Sequence, residues 1–484
     1  MPKFITRETV AKAYEQGLDA VVELFDQLLE QTIALAARVE ELERQRSTDS
    51  HNSSKPPSSD PPGSHPSPRT KSLRQPSGKR SGGQPGHPGA TLKMTAKPDR
   101  IVVHSPEACA RCGESLREAP VIDVERRQVF ELPKVLFEVT EHQVESRCCT
   151  CGETSCGSFP REVSAPVQYG PRLLAVAVYL SQYQLVPMER VGEALSDVFG
   201  CESFSEGTLH SALDECHLGL SAVEENIKEE LRRAEVVHFA ETGLEVRGKL
   251  NWLHVACTSM LTHYGWATAR GPLGANTHGI LPLFQGVGLH DGLETYWGYL
   301  WDHGLCNIHH LRELVEVEEH YKQPWARKMQ DLLREMKAAV DAAKALGQTE
   351  LAEAVVQAFE ASYGSILAEG FTMNPPPERP PGTRGRPKRG RVLALLDRLS
   401  THREAALRFL KDFRVPFDNN QAERDLRMIK VKQKVSGCFR ADNGADRFCR
   451  IRGYISTMRK QHQGILACLE SVFLGHPMMP ATAT

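Results

Sequence analysis

Two kinds of side chain in this sequence have the types and spacing for chemistry. The first is sulfur. Cys109 and Cys112 in CARCG, and Cys148 and Cys151 in CCTCG, form two Cys-x-x-Cys-Gly turns. Each turn presents two thiolates, its glycine permits the bend, and four thiolates satisfy tetrahedral Zn²⁺ with no open position. A structural zinc that folds a small module is expected; free thiols or a redox pair are the alternatives, with Cys149 and Cys156 as spare donors. The second is carboxylate. A short apolar strand in GVGLHDG delivers Asp291 at its end, and DNNQAERDLRMIKVKQ reads as a helix capped by Asp418 that carries Glu423. On that helix Asn419 or Asn420, Glu423, Arg427 and Lys430 are spaced to share a face. The strand in VVHFAETGLEV is a natural mount for another carboxylate, yet its exit position is Ala240, followed by Glu241. Neighbouring strand residues point to opposite faces, so Glu241 is a poor substitute. Cys306 and His309 have a Cys-x-x-His spacing that lacks ligands for zinc.

The elements that must hold these groups are legible from periodicity. Val236, Val237 and Phe239, a connection around Gly243 to Gly248, and a run through Trp252, Leu253 and Val255 predict a β-hairpin. THYGWATA adds a third strand, GANTHGILPLFQ a helix, and then comes the strand that ends at Asp291. Three antiparallel strands, a helix and a further strand are the order of an RNase H-like sheet, which makes the class α/β. Folds of this class hold two Mg²⁺ between two strand-end Asp residues and one helical carboxylate, for phosphodiester cleavage and strand transfer. Between Asp291 and Glu423, WARKMQDLLREMK through ILAEG predicts a helical pair, so the insertion at about 300-400 should be α-helical.

With 484 residues, 40% apolar and 25% charged, the chain is long enough for two to four soluble, globular domains. No run approaches the ~20 apolar residues of a membrane span, and MPKFITRETV lacks the apolar core of a signal peptide. Thirteen cysteines in such a chain argue for reduced thiols and a cytoplasmic location. Val21, Leu28, Leu35 and Leu42 recur every seven residues, with Phe25, Thr32 and Val39 between them, predicting a coiled coil or an amphipathic helix over 1-46. Residues 47-98 are a Pro-, Ser- and Gly-rich basic linker, 99-165 the zinc module, and 166-234 helical. In that helical stretch MERVGEALSDVFGCESFSEGTLHSALDEC has a helix-turn-helix form with Ser205 or Ser203 as cap; packing without DNA contact is the other reading. The catalytic region is expected at 235-460 and a tail at 461-484.

Net charge of −2 leaves any DNA contact to local clusters. In TRGRPKRGR, Arg384 and Arg386 flank Gly385 and precede Pro387, with Lys388, Arg389 and Arg391 alongside. This resembles an AT-hook, a flat shape that enters a narrow A·T minor groove; a basic linker is the alternative. Around Glu423 lie Arg424, Arg427, Lys430, Lys432, Lys434 and Arg440, read as phosphate contacts rather than a merely solvated face.

Taken together, NSSKPPSSD, GGQPGHPGATL, the twin cysteine knuckles, ETGLEVRGKLNWLHVA, LHDG, CNIHHLREL, RGRPKRG, VPFDNNQAERDLRMIKVKQKVSGCFR and FCRIRGYISTMRKQ resemble the bacterial insertion-sequence 66 transposases over nearly the whole chain. The resemblance implies a DDE transposase that cleaves a donor strand and joins its 3′ end to target DNA, with two Mg²⁺ or Mn²⁺ per site. It further implies double-stranded DNA at element ends and target, a homodimer or higher oligomer, accessory proteins of the same element, and a cytoplasmic, nucleoid-associated location. The family's strand-end motif is Asp-Glu-Thr-Gly, so Ala240 stands where the first catalytic Asp belongs, while Asp291 and Glu423 match the second and third acidic positions. The chain is accordingly expected to be inactive as written. The Cys306 and His309 pair resembles a motif that follows the second Asp in several transposase groups, which implies a role in shaping the site or positioning DNA strands. A non-catalytic DNA-binding regulator derived from a transposase is the alternative; a zinc-folded interaction scaffold is disfavoured by the basic residues around Glu423.

Overall fold

The computed structural model describes residues 7–47, 94–130, 137–148, 150–151, 154–377 and 389–481. The linker over 48–93 and the AT-hook-like residues Arg384, Arg386 and Lys388 lie outside the described residues. The chain divides into two units, one of Met1–Thr70, Ser164–Glu193 and Ser203–Thr484, the other of Lys71–Val163 and Ala194–Glu202.

The N-terminal segment is two helices, α1 (Arg7–Gln16) and α2 (Leu18–Ser47), broken at Gly17 with φ of +108°. A single helix over 1-46 is therefore corrected, because only glycine adopts that backbone without strain. Phe25, Leu28, Leu35, Val39 and Leu42 of the heptad seam are all exposed.

In the smaller unit the first knuckle is a tight turn. Cys109 N–H bonds Glu114 O at 2.8 Å and Gly113 N–H bonds Cys109 O at 2.9 Å, with Gly113 at φ +77°. The second knuckle joins antiparallel β1 (Ser146–Cys148) and β2 (Thr154–Cys156), where Cys148 faces Thr154. The alternating segment between the knuckles forms no strand among the described residues. Val121, Ile122 and Val129 are exposed there, so no apolar face is covered that would reward pairing.

The larger unit is built on a mixed five-stranded sheet. It comprises β3 (Val236–Val246), β4 (Lys249–Cys257), β5 (Thr262–Ala267), β6 (Val287–His290) and β7 (Asp302–Leu305), in the order β5-β4-β3-β6-β7. The first three are antiparallel; β6 and β7 run parallel to β3. The β3–β4 turn is only Arg247 and Gly248, both at positive φ (53° and 69°), the two-residue form that matches strand twist. Gly243 thus belongs to the strand, opposite Trp252, and the broad connection expected from Gly243 to Gly248 is corrected. Strand β7 falls inside the stretch assigned to the helical insertion; Asp302, His303 and Gly304 carry no strand signature, and pairing with β6 makes it a strand.

Before the sheet come α3 (Pro171–Val178), α4 (Met188–Phe199), α5 (Glu206–Gly219) and α6 (Ser221–Arg233). Ser205 caps α5, accepting the Thr208 N–H at 3.1 Å. Helix α5 buries Leu209, Ala212, Leu213 and Cys216, and its exposed side carries Glu206, Asp214 and Glu215, with Asp214 bonded to Arg447 at 2.6 Å. The short α7 (Pro272–Asn276) precedes β6. The insertion is helical from Asn307 onward: α8 (Asn307–Tyr321), α9 (Pro324–Ala345), α10 (Glu353–Met373), α11 (Arg391–Thr401) and α12 (Arg403–Lys411). They close over fully buried Trp325 and Tyr363, whose hydroxyl donates to Leu399 O at 3.0 Å.

Helices α13 (Asn420–Ser436) and α14 (Asp442–Lys460) cover one face of the sheet; Ala422, Leu426, Ala445 and Phe448 pack with Ala240, Leu244 and Val255. The expected tail at 461-484 contains α15 (Ile465–Phe473), which buries Ile465, Cys468, Leu469 and Val472. On the opposite face Phe239 meets Phe284 and Trp301, with ring centroids 5.5 Å away in each case. The Trp301 ring leaves no room for a side chain at Gly288 of β6, where an added Cβ would overlap it. Gly288→Ala is expected to cost about 1–3 kcal/mol by overpacking, visible as a lower thermal midpoint of the full chain; an unchanged midpoint would show that Trp301 moves aside freely.

Candidate active site

One buried side chain ties the elements of the site together. Asn419, 1% exposed, immediately precedes α13. Its Nδ2 donates to the Phe239 carbonyl of β3 at 2.8 Å, so its Oδ1 is left to accept from His238 Nδ1, also at 2.8 Å. Its backbone N–H donates to the Cys306 sulfur at 3.1 Å. Cys306 N–H in turn bonds His290 O at 2.9 Å, and Asn307 N–H bonds Phe417 O at 3.0 Å. Strand β3, the end of β6, the start of α8 and the start of α13 are therefore pinned at one point. Asp418, expected as the cap, accepts the Asn420 N–H at 3.0 Å, but the capping position itself is Asn419, whose side chain turns inward.

The acidic residues are placed by this frame. Val236, Val237 and His238 lie level with Val287, Gly288 and Leu289 in the parallel β3–β6 register. Continued by two residues, that register sets Ala240 level with Asp291. Ala240 faces α13, in the cluster with Ala422 and Leu426. Glu241 points to the other face, pairing with Arg270 at 2.7 Å and lying 3.8 Å from His254 across the strand pair. Burial raises the Glu241 pKa; Arg270 opposes that and Asp291 adds to it. Asp291 is exposed just beyond β6, and one of its oxygens accepts the Leu293 N–H at 3.1 Å.

Glu423, on the first turn of α13, meets the Cys-x-x-His pair. His309 Nε2 is 3.5 Å from Glu423 Oε1, and donor atoms of Cys306, His309 and Glu423 all lie within 4.8 Å of one another. Among the described residues this is the one such group of three. Burial disfavours a proton on His309, but Cys306, Glu423 and Asp291 together overcome it and push its pKa up to about 9. Glu423 Oε1 and His309 Nδ1 are buried without a hydrogen-bond partner. Sequence spacing alone left the Cys-x-x-His pair short of ligands; the third comes from a helix more than a hundred residues later. No three of the cysteines Cys109, Cys112, Cys148 and Cys151 reach that proximity, although Cys112 and backbone hydrogen bonds lower the Cys109 pKa.

The sequence model of the Transposase IS66 family matches residues 166–447, more than half of the chain. The chain belongs to that family. Residues 9–93 match a family of unknown function (DUF6444), and no curated protein matches the chain. Within the IS66 domain the basic residues divide. Arg424, Arg427 and Lys434 are exposed. Lys430 instead donates to Gly243 O at 2.7 Å, bracing α13 against β3, and burial lowers its pKa. Lys432 donates to Gly437 O at 3.1 Å and sits 3.8 Å from the centre of the Phe439 ring; burial brings its pKa to about 8. The cluster is therefore not uniform in its surroundings, since these two ammonium groups bond the protein's own carbonyls. Arg389 is paired with Asp397, and Arg391 with Glu316 at 2.8 Å.

Asn419, legible in the sequence only as one of two asparagines sharing a face with Glu423, proves to be the buried bracket of the site, a role that no spacing announces. Asn419→Ala would leave the Phe239 carbonyl and His238 unpaired, each costing about 1–3 kcal/mol. A lower urea midpoint for the full chain is expected; an unaltered one would mean that the bracket does not hold α13.

Proposed function

We propose that this IS66 family protein is a DDE transposase of RNase H-like architecture whose metal site is incomplete at position 240. The observation that carries the reading is the β3–β6 register, which sets Ala240 level with Asp291 on the strand that α13, the bearer of Glu423, covers. Strand order β5-β4-β3-β6-β7 supports the RNase H-like assignment. In such a site two Mg²⁺ or Mn²⁺ would supply the charge that activates a hydroxyl and stabilises the leaving oxygen. The residues fit in part. Glu423 offers a buried oxygen that faces only His309, and Asp291 an exposed carboxylate, but position 240 offers only a methyl group. Glu241 is engaged with Arg270 on the opposite face. No cleavage step follows from two carboxylates alone.

The remaining residues bind and orient. Arg424, Arg427 and Lys434 face solvent on the helix of Glu423 and are assigned to phosphates of double-stranded DNA; the AT-hook-like Arg384 and Arg386 are assigned to A·T-rich minor groove. The open seam of α2 is assigned to self-association in a homodimer or higher oligomer. The knuckle turns, with Gly113 at φ +77° and the Cys148 hairpin, suit a four-thiolate Zn²⁺.

Two measurements test this reading. Ala240→Asp is expected to raise Mg²⁺- or Mn²⁺-dependent cleavage of element-end DNA by at least about 10–100-fold, since loss of a direct ligand should exceed second-shell effects of that size. Asp291→Asn or Glu423→Gln should abolish it again. Robust cleavage by the chain with Ala240 would overturn the incomplete site, and a silent Ala240→Asp chain that still binds DNA would point to a regulator instead. For the knuckles, Cys112→Ser is expected to remove about one equivalent of bound zinc; retention of that equivalent would refute the four-thiolate site.

A further inference from the structure

We propose that Cys306, His309 and Glu423 form a binding site for a single soft divalent ion of the Zn²⁺ type, which takes Glu423 as its third ligand. The inference stands on these donors and not on the catalytic reading, with which it shares only Glu423. A thiolate, an imidazole and a carboxylate form a donor set that suits Zn²⁺ and leaves a fourth position open. Ligand atoms about a tetrahedral zinc are about 3.5 Å apart, given metal–ligand distances of about 2.0–2.3 Å. His309 and Glu423 already stand at 3.5 Å, and all three donors lie within 4.8 Å, so small side-chain adjustments would close the set.

Independent features point the same way. Glu423 Oε1 is buried, makes no hydrogen bond and faces His309 Nε2 at 3.5 Å, so two ligand atoms look at each other across a gap that neither closes. Cys306 is 1% exposed and stands at the N-cap of the fifteen-residue α8. Its sulfur accepts the Asn419 N–H at 3.1 Å, the outer-shell bond that orients a metal-bound thiolate. An ion held here would occupy Glu423 and so exclude it from any all-oxygen site.

Cobalt(II), as a coloured stand-in for zinc, tests the site in the full chain without DNA. Cys306→Ser keeps an acceptor for the Asn419 N–H, and is expected to bind one Co²⁺ fewer and to lose a thiolate-to-cobalt charge-transfer band. Glu423→Gln, on a part-exposed helix position, should keep that band but weaken binding at least about tenfold. Excess Mg²⁺ should leave the spectrum unchanged. Equal cobalt content and an identical spectrum in Cys306→Ser would overturn the site, as would an unaffected affinity in Glu423→Gln or displacement by Mg²⁺. Cobalt binding with these properties in a chain whose Ala240→Asp variant fails to cleave DNA would sustain this inference while the catalytic reading falls.

Discussion

The architecture of the site depends on the buried amide of Asn419. A helix that carries a functional carboxylate must be fixed against the sheet to within a fraction of an ångström, and apolar packing alone is non-directional. Asn419 supplies the direction. It bonds the ring of His238, the carbonyl of Phe239 and the sulfur of Cys306, so three chain segments far apart in sequence share one polar node. Because these partners are all buried, the node has one satisfied arrangement, and slipping α13 by a residue would strand several groups at once. The Lys430 bond to Gly243 O sets the rotation of the same helix further along.

Much of the fold was legible because its signals are local. The hairpin, the third strand and the helical pair of the insertion follow from periodicity, and each is present. Strand β7 was illegible since Asp302-His303-Gly304 has no strand propensity and is ordered only by its neighbour β6. The break at Gly17 was legible in principle, as a glycine inside a helical pattern, but a heptad repeat overrode it. At the site, residue types were readable while partnerships were not. Nothing in the spacing of Cys306 and His309 announces Glu423, and nothing in a run of lysines separates Lys430 and Lys432, which bond carbonyls, from Lys434, which faces water.

Charge on α13 consequently has two functions. Its inward cations hold the helix to the strand and to its own C-terminal turn through bonds to the Gly243 and Gly437 carbonyls. Its outward cations, Arg424 and Arg427, remain beside Glu423 on the exposed side. The exposed face of α5, with Glu206, Asp214 and Glu215, is acidic by contrast.

The surroundings of Ala240 carry a thermodynamic consequence. Its methyl group sits at 8% exposure against Ala422 and Leu426, an environment that stabilises alkyl groups and penalises ionised ones. A carboxylate on that strand would be held in place by the rest of the fold at some cost in stability, as functional groups in apolar settings commonly are. With alanine there, the sheet and α13 meet as an ordinary core. Alanine at this position is thus the choice that folding favours, and an acidic side chain there would have to be held against the preference of the surrounding core.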